Sequence, residues 1–245
     1  IRRWRSILTV VLAGLLTFGG VLFVAGLLRT ERPPHMKPVV VASGEWAPFV
    51  GPDLPEGGPI AEVMQEVLAT AGFNPQVTFL SWAEVERRID QGSVFGGFPL
   101  VLSKDRQSRM LYSVPIFSAE YVIFVRAGAA NSPKTAEDLS QLKVGGITGY
   151  DYWAELDDVV VDMNRYDDIV DGFAALLAGE IDVFVEASAP AQHVLNDPEI
   201  PFDRTSFAVV ESKEAWARSM EDLVFMVPKT KEGEKSIARI NRALA

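Results

Sequence analysis

Apolar positions fall into two regimes along the chain. Residues 7–28, ILTVVLAGLLTFGGVLFVAGLL, contain no charged residue. As a helix rising about 1.5 Å per residue, this run covers about 33 Å, close to the roughly 30 Å hydrocarbon core of a bilayer. From residue 38 onward, apolar residues come in short β-branched runs that alternate with stripes at helical spacing. Strands are expected at 38–42, 76–80, 95–102, 121–125, 143–147, 159–161, 181–185, 207–210 and 223–227. Helices are expected between them. Ile60, Val63, Met64, Val67, Leu68 and Ala71 mark one, with Pro59 at its start and Gly72 at its stop. Ser81 with Glu84 has capping-box spacing for a second, ending near Gly92. Others are expected at 104–109, 135–142, 168–178 (stopped by Gly179), from 186 to about 196, and at 232–244.

Strand–helix alternation with short connections predicts an α/β fold with largely parallel sheets. The pattern restarts near residue 130, which suggests two lobes. Ligands of such folds sit beyond the carboxyl ends of strands or in a cleft between lobes.

Charge separates the two regimes further. Residues 1–37 hold six Lys or Arg and one acid, so 38–245 carry a formal net charge of −15 against −10 for the whole chain. Arg2, Arg3 and Arg5 precede the long apolar run. The positive-inside rule then gives a cytoplasmic stub at 1–6, a transmembrane anchor helix at 7–28 and a linker at 29–37, with the rest outside. A cleaved signal peptide is the competing reading. Its apolar region is usually about 7–15 residues with a small-residue cleavage site, whereas this run is longer and ends Leu-Leu-Arg. The chain opens on Ile1 and stops at Ala245 inside the closing helix, as a segment of a longer sequence would. So acidic a body argues against nucleic acid as a partner. With no cysteine, a disulfide scaffold and thiolate chemistry are excluded.

Candidate chemistry is sparse. Ser103 is placed to cap the 104–109 helix, and a strand end delivering Ser103 and Arg106 into a crevice would suit a carboxylate. By spacing alone, a surface loop with solvated arginines is the simpler reading. Thr148 and Gly149 end the VGGITG stretch and offer hydroxyl and N–H donors, or form an ordinary strand-to-helix turn. Trp46 follows the first strand and either stacks on a ligand or joins the core. Glu186 ends the 181–185 strand, where it either meets a ligand ammonium or caps a helix. Asp157, Asp158, Asp167 and Asp168 read as turn and cap residues. His35 and His193 lack metal-ligand spacing, and there is no G-x-S-x-G elbow. No catalytic residue, metal site or cofactor is expected.

Taken in order, these pieces resemble the bacterial extracellular solute-binding protein family 3, the polar-amino-acid type of periplasmic binding protein. The resemblance covers most of 38–245. It rests on Glu45-Trp46-Ala47-Pro48-Phe49 after the first strand, Ser81-Trp82 and Gly92 around the second helix, and Phe98-Pro99 through Arg106 to Tyr112-Ser113-Val114-Pro115. VGGITG and Gly179-Glu180-Ile181-Asp182-Val183 through Glu186 extend it into the second half. It implies a periplasmic-binding-protein-like fold of type II, with lobe 1 at 38–125 and 228–245 and lobe 2 at 126–227. The crossing strands would lie near 122–125 and 224–227. It also implies a non-enzymatic binder at a bacterial inner membrane, with its domain in the periplasm. Its ligand would be a small molecule, an amino acid or other carboxylate. Arg106, seven residues before Ser113, would clamp the carboxylate. Ser103, Thr148 and Gly149 would add hydrogen bonds, Trp46 would pack on the ligand, and Glu186 would meet its amino group. The expected partner is an ABC-type permease or another integral membrane complex. Val101, Phe95 and Glu186 stand where the family usually has Thr, Asp and Asp, so the resemblance does not fix the ligand. Two other roles stay open: an accessory subunit of a membrane complex with a degenerate cleft, or part of a larger enzyme or sensor.

Overall fold

The computed structural model describes Met36 and residues 38–245. The stub, the anchor and most of the linker expected over 1–37 lie outside the described residues. Among the described residues, no helix is long and apolar enough to cross a membrane.

The chain starts with β1 (Pro38–Ser43), whose last three residues are buried, followed by the loop that carries Trp46. Helix α1 (Pro59–Thr70) begins on its proline and buries Ile60, Ala61, Met64 and Leu68. Val63, expected on that stripe, is 55% exposed, so the buried face is narrower than the apolar pattern. Strand β2 (Asn74–Phe79) leads to α2 (Trp82–Asp90), where the Ser81 side chain accepts from the Glu84 amide. Next come β3 (Gly96–Val101), buried throughout, then α3 (Lys104–Arg109) capped by Ser103, and the short β4 (Met110–Tyr112). Strand β5 (Phe117–Arg126) runs into the second half.

There the elements are α4 (Ala136–Ser140), β6 (Val144–Ile147), α5 (Ala154–Asp157), β7 (Met163–Tyr166) and α6 (Ile169–Ala178). Helix α6 ends on Gly179 in the left-handed conformation at φ 77°. Strand β8 (Val183–Ala187), α7 (Ser188–Leu195) and β9 (Phe207–Val209) follow. Strand β10 (Arg218–Pro228) returns to the first half, and α8 (Lys231–Leu244) closes the chain.

The strand order is β2-β1-β3-β10-β5-β8-β6-β7, with β4 on β10 and β9 on β5. Pairing is parallel within each half, β1 with β2 and β3, and β6 with β7 and β8. It is antiparallel wherever β5 or β10 takes part, so the sheet is mixed rather than largely parallel. The cause is topological: the chain passes between the halves twice, outward in β5 and back in β10. Residues 117–122 and 218–223 pair with each other as a two-stranded ribbon, slightly N-terminal of the crossing points expected. Beyond the ribbon, β10 pairs with β3 and β4, and β5 pairs with β8 and β9.

One expected strand does not form. Val159, Val160 and Val161 are not in a strand, and Val161 is 93% exposed. The pairing falls instead on the polar segment 163–166, at the edge of the sheet.

Candidate functional site

The first half delivers an arginine to the crevice between the halves. Ser103 caps α3 by accepting from the Arg106 amide at 3.2 Å. That short helix turns the Arg106 side chain inward, where it is 2% exposed. Its guanidinium donates to Glu86 Oε2 from Nε at 3.1 Å and from Nη2 at 2.8 Å. Nη1 donates to the Val101 carbonyl at 3.2 Å. Glu86 also pairs with Arg109, which in turn meets Asp90 and Asp105. Burial opposes the charge of Glu86, but Arg106 and Arg109 together outweigh it and hold its carboxyl below the usual range.

The second half reaches Arg106 through the turn after β6. The Gly149 carbonyl accepts from Arg106 Nη2 at 2.9 Å. Asp151 accepts a short hydrogen bond from the Ser103 hydroxyl, and its Oδ2 stands 3.4 Å from Arg106 Nε. Gly149 has φ 81°, and a Cβ there would collide with the backbone of Trp82 and Ala83, so only glycine lets the turn seat on α2. The turn is braced from behind. Tyr152 Oη accepts from the Ile147 amide at 2.9 Å and donates to the Val185 carbonyl at 3.2 Å. Arg165 donates to the carbonyls of Ile147 and Tyr150.

Between these groups lies a cavity of about 20 Å³, lined by Trp46, Trp82, Tyr121 and Tyr150 besides Arg106 and Asp151. That is room for about one water molecule. A larger crevice of about 830 Å³ shares Trp46, Trp82 and Tyr150 with it. Its walls include Phe79, Thr148, Glu45, Asp167 and Asp168 and, among the described residues, no Lys or Arg.

Glu186 lies near the ribbon, on β8 opposite Val122. It is fully buried; one oxygen accepts from the Ala187 amide at 2.7 Å, and Oε2 has no hydrogen-bond partner. The indole N–H of Trp46 is also buried and faces this carboxyl without meeting strict hydrogen-bond geometry. Burial pushes the Glu186 carboxyl up to about 8, with the Ala187 amide and the Trp46 indole pulling the other way. The same site lifts the buried Tyr121 phenol, by burial first and Glu186 second.

Of the residues singled out by sequence, Arg106, Trp46 and Gly149 line the small cavity, and Ser103 reaches it through Asp151. Thr148 belongs to the larger crevice, and its amide donates to the Tyr166 carbonyl at 2.8 Å, so this donor faces the neighbouring strand. Gly149 contributes a carbonyl acceptor to Arg106 rather than an amide donor. Trp46 packs on Phe49 and Phe117, at 5.0 and 6.4 Å between ring centroids. Glu186 is in the interior, with no lining contact to either cavity. Ser113 fastens β4 to β10, its hydroxyl accepting from the Phe225 amide at 3.0 Å. Among the described residues, no cluster of His, Cys, Asp or Glu could hold a metal ion.

Sequence reasoning did not name Glu86 or Asp151 as part of the site. Glu86 carried a signal: it shares a helix face with Trp82, Val85 and Ile89, and an acid on an apolar stripe needs a partner. Asp151 carried none, because it meets Ser103 from 48 residues away.

No family model and no curated protein matches the chain by sequence. Solved structures do match by shape. The arginine-, lysine-, histidine-binding protein ArtJ from Geobacillus stearothermophilus aligns with TM-score 0.68 and 20% identity, covering 85% of this chain and 90% of its own. The Gly52Ala mutant of arginine-bound ArgBP from T. maritima aligns at 0.67 with 21% identity, covering 84% and 94%. The fold is that of the periplasmic binding proteins. A histidine kinase sensor domain with similarity to periplasmic binding proteins aligns at 0.69 with 18% identity, covering 86% and 90%.

Proposed function

We propose that residues 38–245 are a solute-binding domain on the periplasmic side of a bacterial inner membrane, held there by a single span over 7–28. Its two lobes close on a small carboxylate-bearing, amino-acid-like solute. Arg106 carries this reading: a guanidinium, 2% exposed, at the junction of both lobes and walled by aromatic rings. An arginine fork is the side chain best matched to a carboxylate. The larger crevice, with Glu45, Asp167 and Asp168 and no basic residue in its walls, favours a solute with a cationic tail. The ligands named for ArtJ and ArgBP, arginine, lysine and histidine, support the same class. Closure on solute would shift the population of lobe positions, which a permease or another membrane complex would read.

A second reading rests on a specific observation. Glu86 and Asp151 already engage Arg106, and the cavity beside it holds about 20 Å³. In this reading the domain is an accessory subunit whose cleft no longer takes a solute. The test is thermal unfolding of the full chain against amino acids and small carboxylates. A ligand at a hundredfold excess over Kd stabilises by about 2.7 kcal/mol. A shift present in the parent and lost in Arg106→Ala supports solute binding. A folded parent that no compound shifts favours the accessory role.

A further inference from the structure

We infer that Asp151 is a tethered ligand: its carboxylate occupies the place at Arg106 and Ser103 that a solute carboxylate takes, and it holds the lobes shut until a solute displaces it. The inference rests on the reading of Arg106 as the carboxylate-binding residue.

Three observations lead here. First, Asp151 makes part of the contacts a free carboxylate would make: a short hydrogen bond from Ser103 and an oxygen 3.4 Å from Arg106 Nε, while Glu86 holds the Nε and Nη2 donors. Second, they join the two lobes. Ser103 and Arg106 belong to the first, and Asp151 arrives on the turn of the second, alongside the Gly149 carbonyl that Arg106 also binds. Third, the site is closed, since the cavity among Trp46, Trp82 and Tyr150 is about 20 Å³, room for about one water molecule and not for a solute carboxylate. The aromatic contact across the crevice, Trp82 against Tyr150 at 5.9 Å and 81°, completes the closure.

Charge separates this arrangement from ordinary packing. Glu86, on the same lobe as Arg106, already supplies one carboxylate. Asp151 supplies a second from the opposite lobe. A solute carboxylate therefore replaces Asp151 rather than adding to it, because three carboxylates on one guanidinium would repel one another. Asp151 thus sets the concentration at which the cleft responds. A cleft vacated by Asp151 only a tenth of the time binds solute about tenfold more weakly than one always vacant.

The chain has no cysteine, so a labelled pair at the exposed positions Val63 and Val161, one on each lobe, reports lobe separation in the full chain. The probe is acetate, with acetamide as its neutral counterpart. The parent is expected to show one short distance that acetate leaves unchanged. Asp151→Ala is expected to show longer distances, returned to the parental value by acetate and not by acetamide. Asp151→Asn keeps the shape and loses the charge, and it is expected to open partly; it also serves where Asp151→Ala does not fold. Parental distances in Asp151→Ala without acetate, or an open form that acetate cannot close, would overturn the inference. So would an Asp151→Asn protein identical to the parent. The readout is separable from solute binding itself. Acetate rescue in a protein that no amino acid stabilises would keep the tethered ligand and remove the solute-binding reading.

Discussion

Glu186 gives the sharpest quantitative test of the site. Its carboxyl is fully buried, with one oxygen unpartnered, and titrates at about 8 instead of the ordinary 4.5. Between those two values the folded chain holds a proton that the unfolded chain has released. Stability therefore falls as pH rises through this window and levels off above pH 8. A displacement of about 3.5 pH units at 1.36 kcal/mol each is about 5 kcal/mol. Glu186→Gln matches the protonated form in shape and cannot titrate. The variant and parent should have similar stability near pH 4.5. Their difference should then grow by about 1.4 kcal/mol per pH unit to about 5 kcal/mol at pH 9. Urea unfolding of both proteins at intervals from pH 4.5 to 9 measures this, and subtraction cancels the titration of other groups. In thermal unfolding, a domain of this size shifts by about 2–4 °C per kcal/mol, so the melting curves should part by about 10–20 °C. Parallel stability profiles for the two proteins would refute the assignment of a buried, neutral Glu186.

Two further substitutions, Gly149→Ala and Tyr152→Phe, test the turn that faces Arg106, with Gly179→Ala as a control. Gly149→Ala combines a left-handed φ of 81° with a collision against α2, and should cost at least about 1–3 kcal/mol in urea unfolding. Gly179→Ala, with a similar φ of 77° but its nearest neighbour atom at 3.7 Å, should cost only the conformational part, about 1 kcal/mol; equal costs would show that the seat of Gly149 on α2 is unimportant. Tyr152→Phe removes the hydroxyl that serves the Ile147 amide and the Val185 carbonyl, leaving a buried donor orphaned, and should cost about 1–3 kcal/mol. An unchanged unfolding midpoint would show that the turn is braced elsewhere.

Much of the fold was legible where one face of an element is buried and the other is not. Helix α1 announced itself by Ile60, Met64 and Leu68, and the short α3 by the Ser103 cap. The 159–161 run misled because β-branched residues mark strands only when a neighbour covers them, and nothing covers Val161. The true edge strand, Met-Asn-Arg-Tyr, has none of that composition; backbone pairing with β6 places it. Strands β5 and β10 were found short for a related reason. Their first halves form the ribbon between lobes, where residues such as Glu120, Met220 and Glu221 are not buried, so the apolar pattern marked only the buried ends.

The site divides along the same line, and its charges explain how. Arg106 was singled out by the family resemblance of its stretch, since spacing alone favoured a solvated surface arginine; only the capping serine beside it is a local feature. What Arg106 touches is not local: Glu86 is 20 residues away and Asp151 lies on the other lobe. These partners also change its chemistry. Alone, a buried arginine calls for any anion; flanked by Glu86 and facing Asp151, it would, in the tethered-ligand proposal, admit one only by exchange. The crevice beyond Trp82 asks for the opposite charge, with Glu45, Asp167 and Asp168 around it. In the proposed reading, a solute that satisfies both ends carries a carboxylate and a cation. Asp151 supplies the carboxylate end alone. Such a substitute can keep the lobes together without solute, yet it leaves the acidic crevice unfilled. In that reading, the cationic end of an incoming solute is what tips the exchange in its favour.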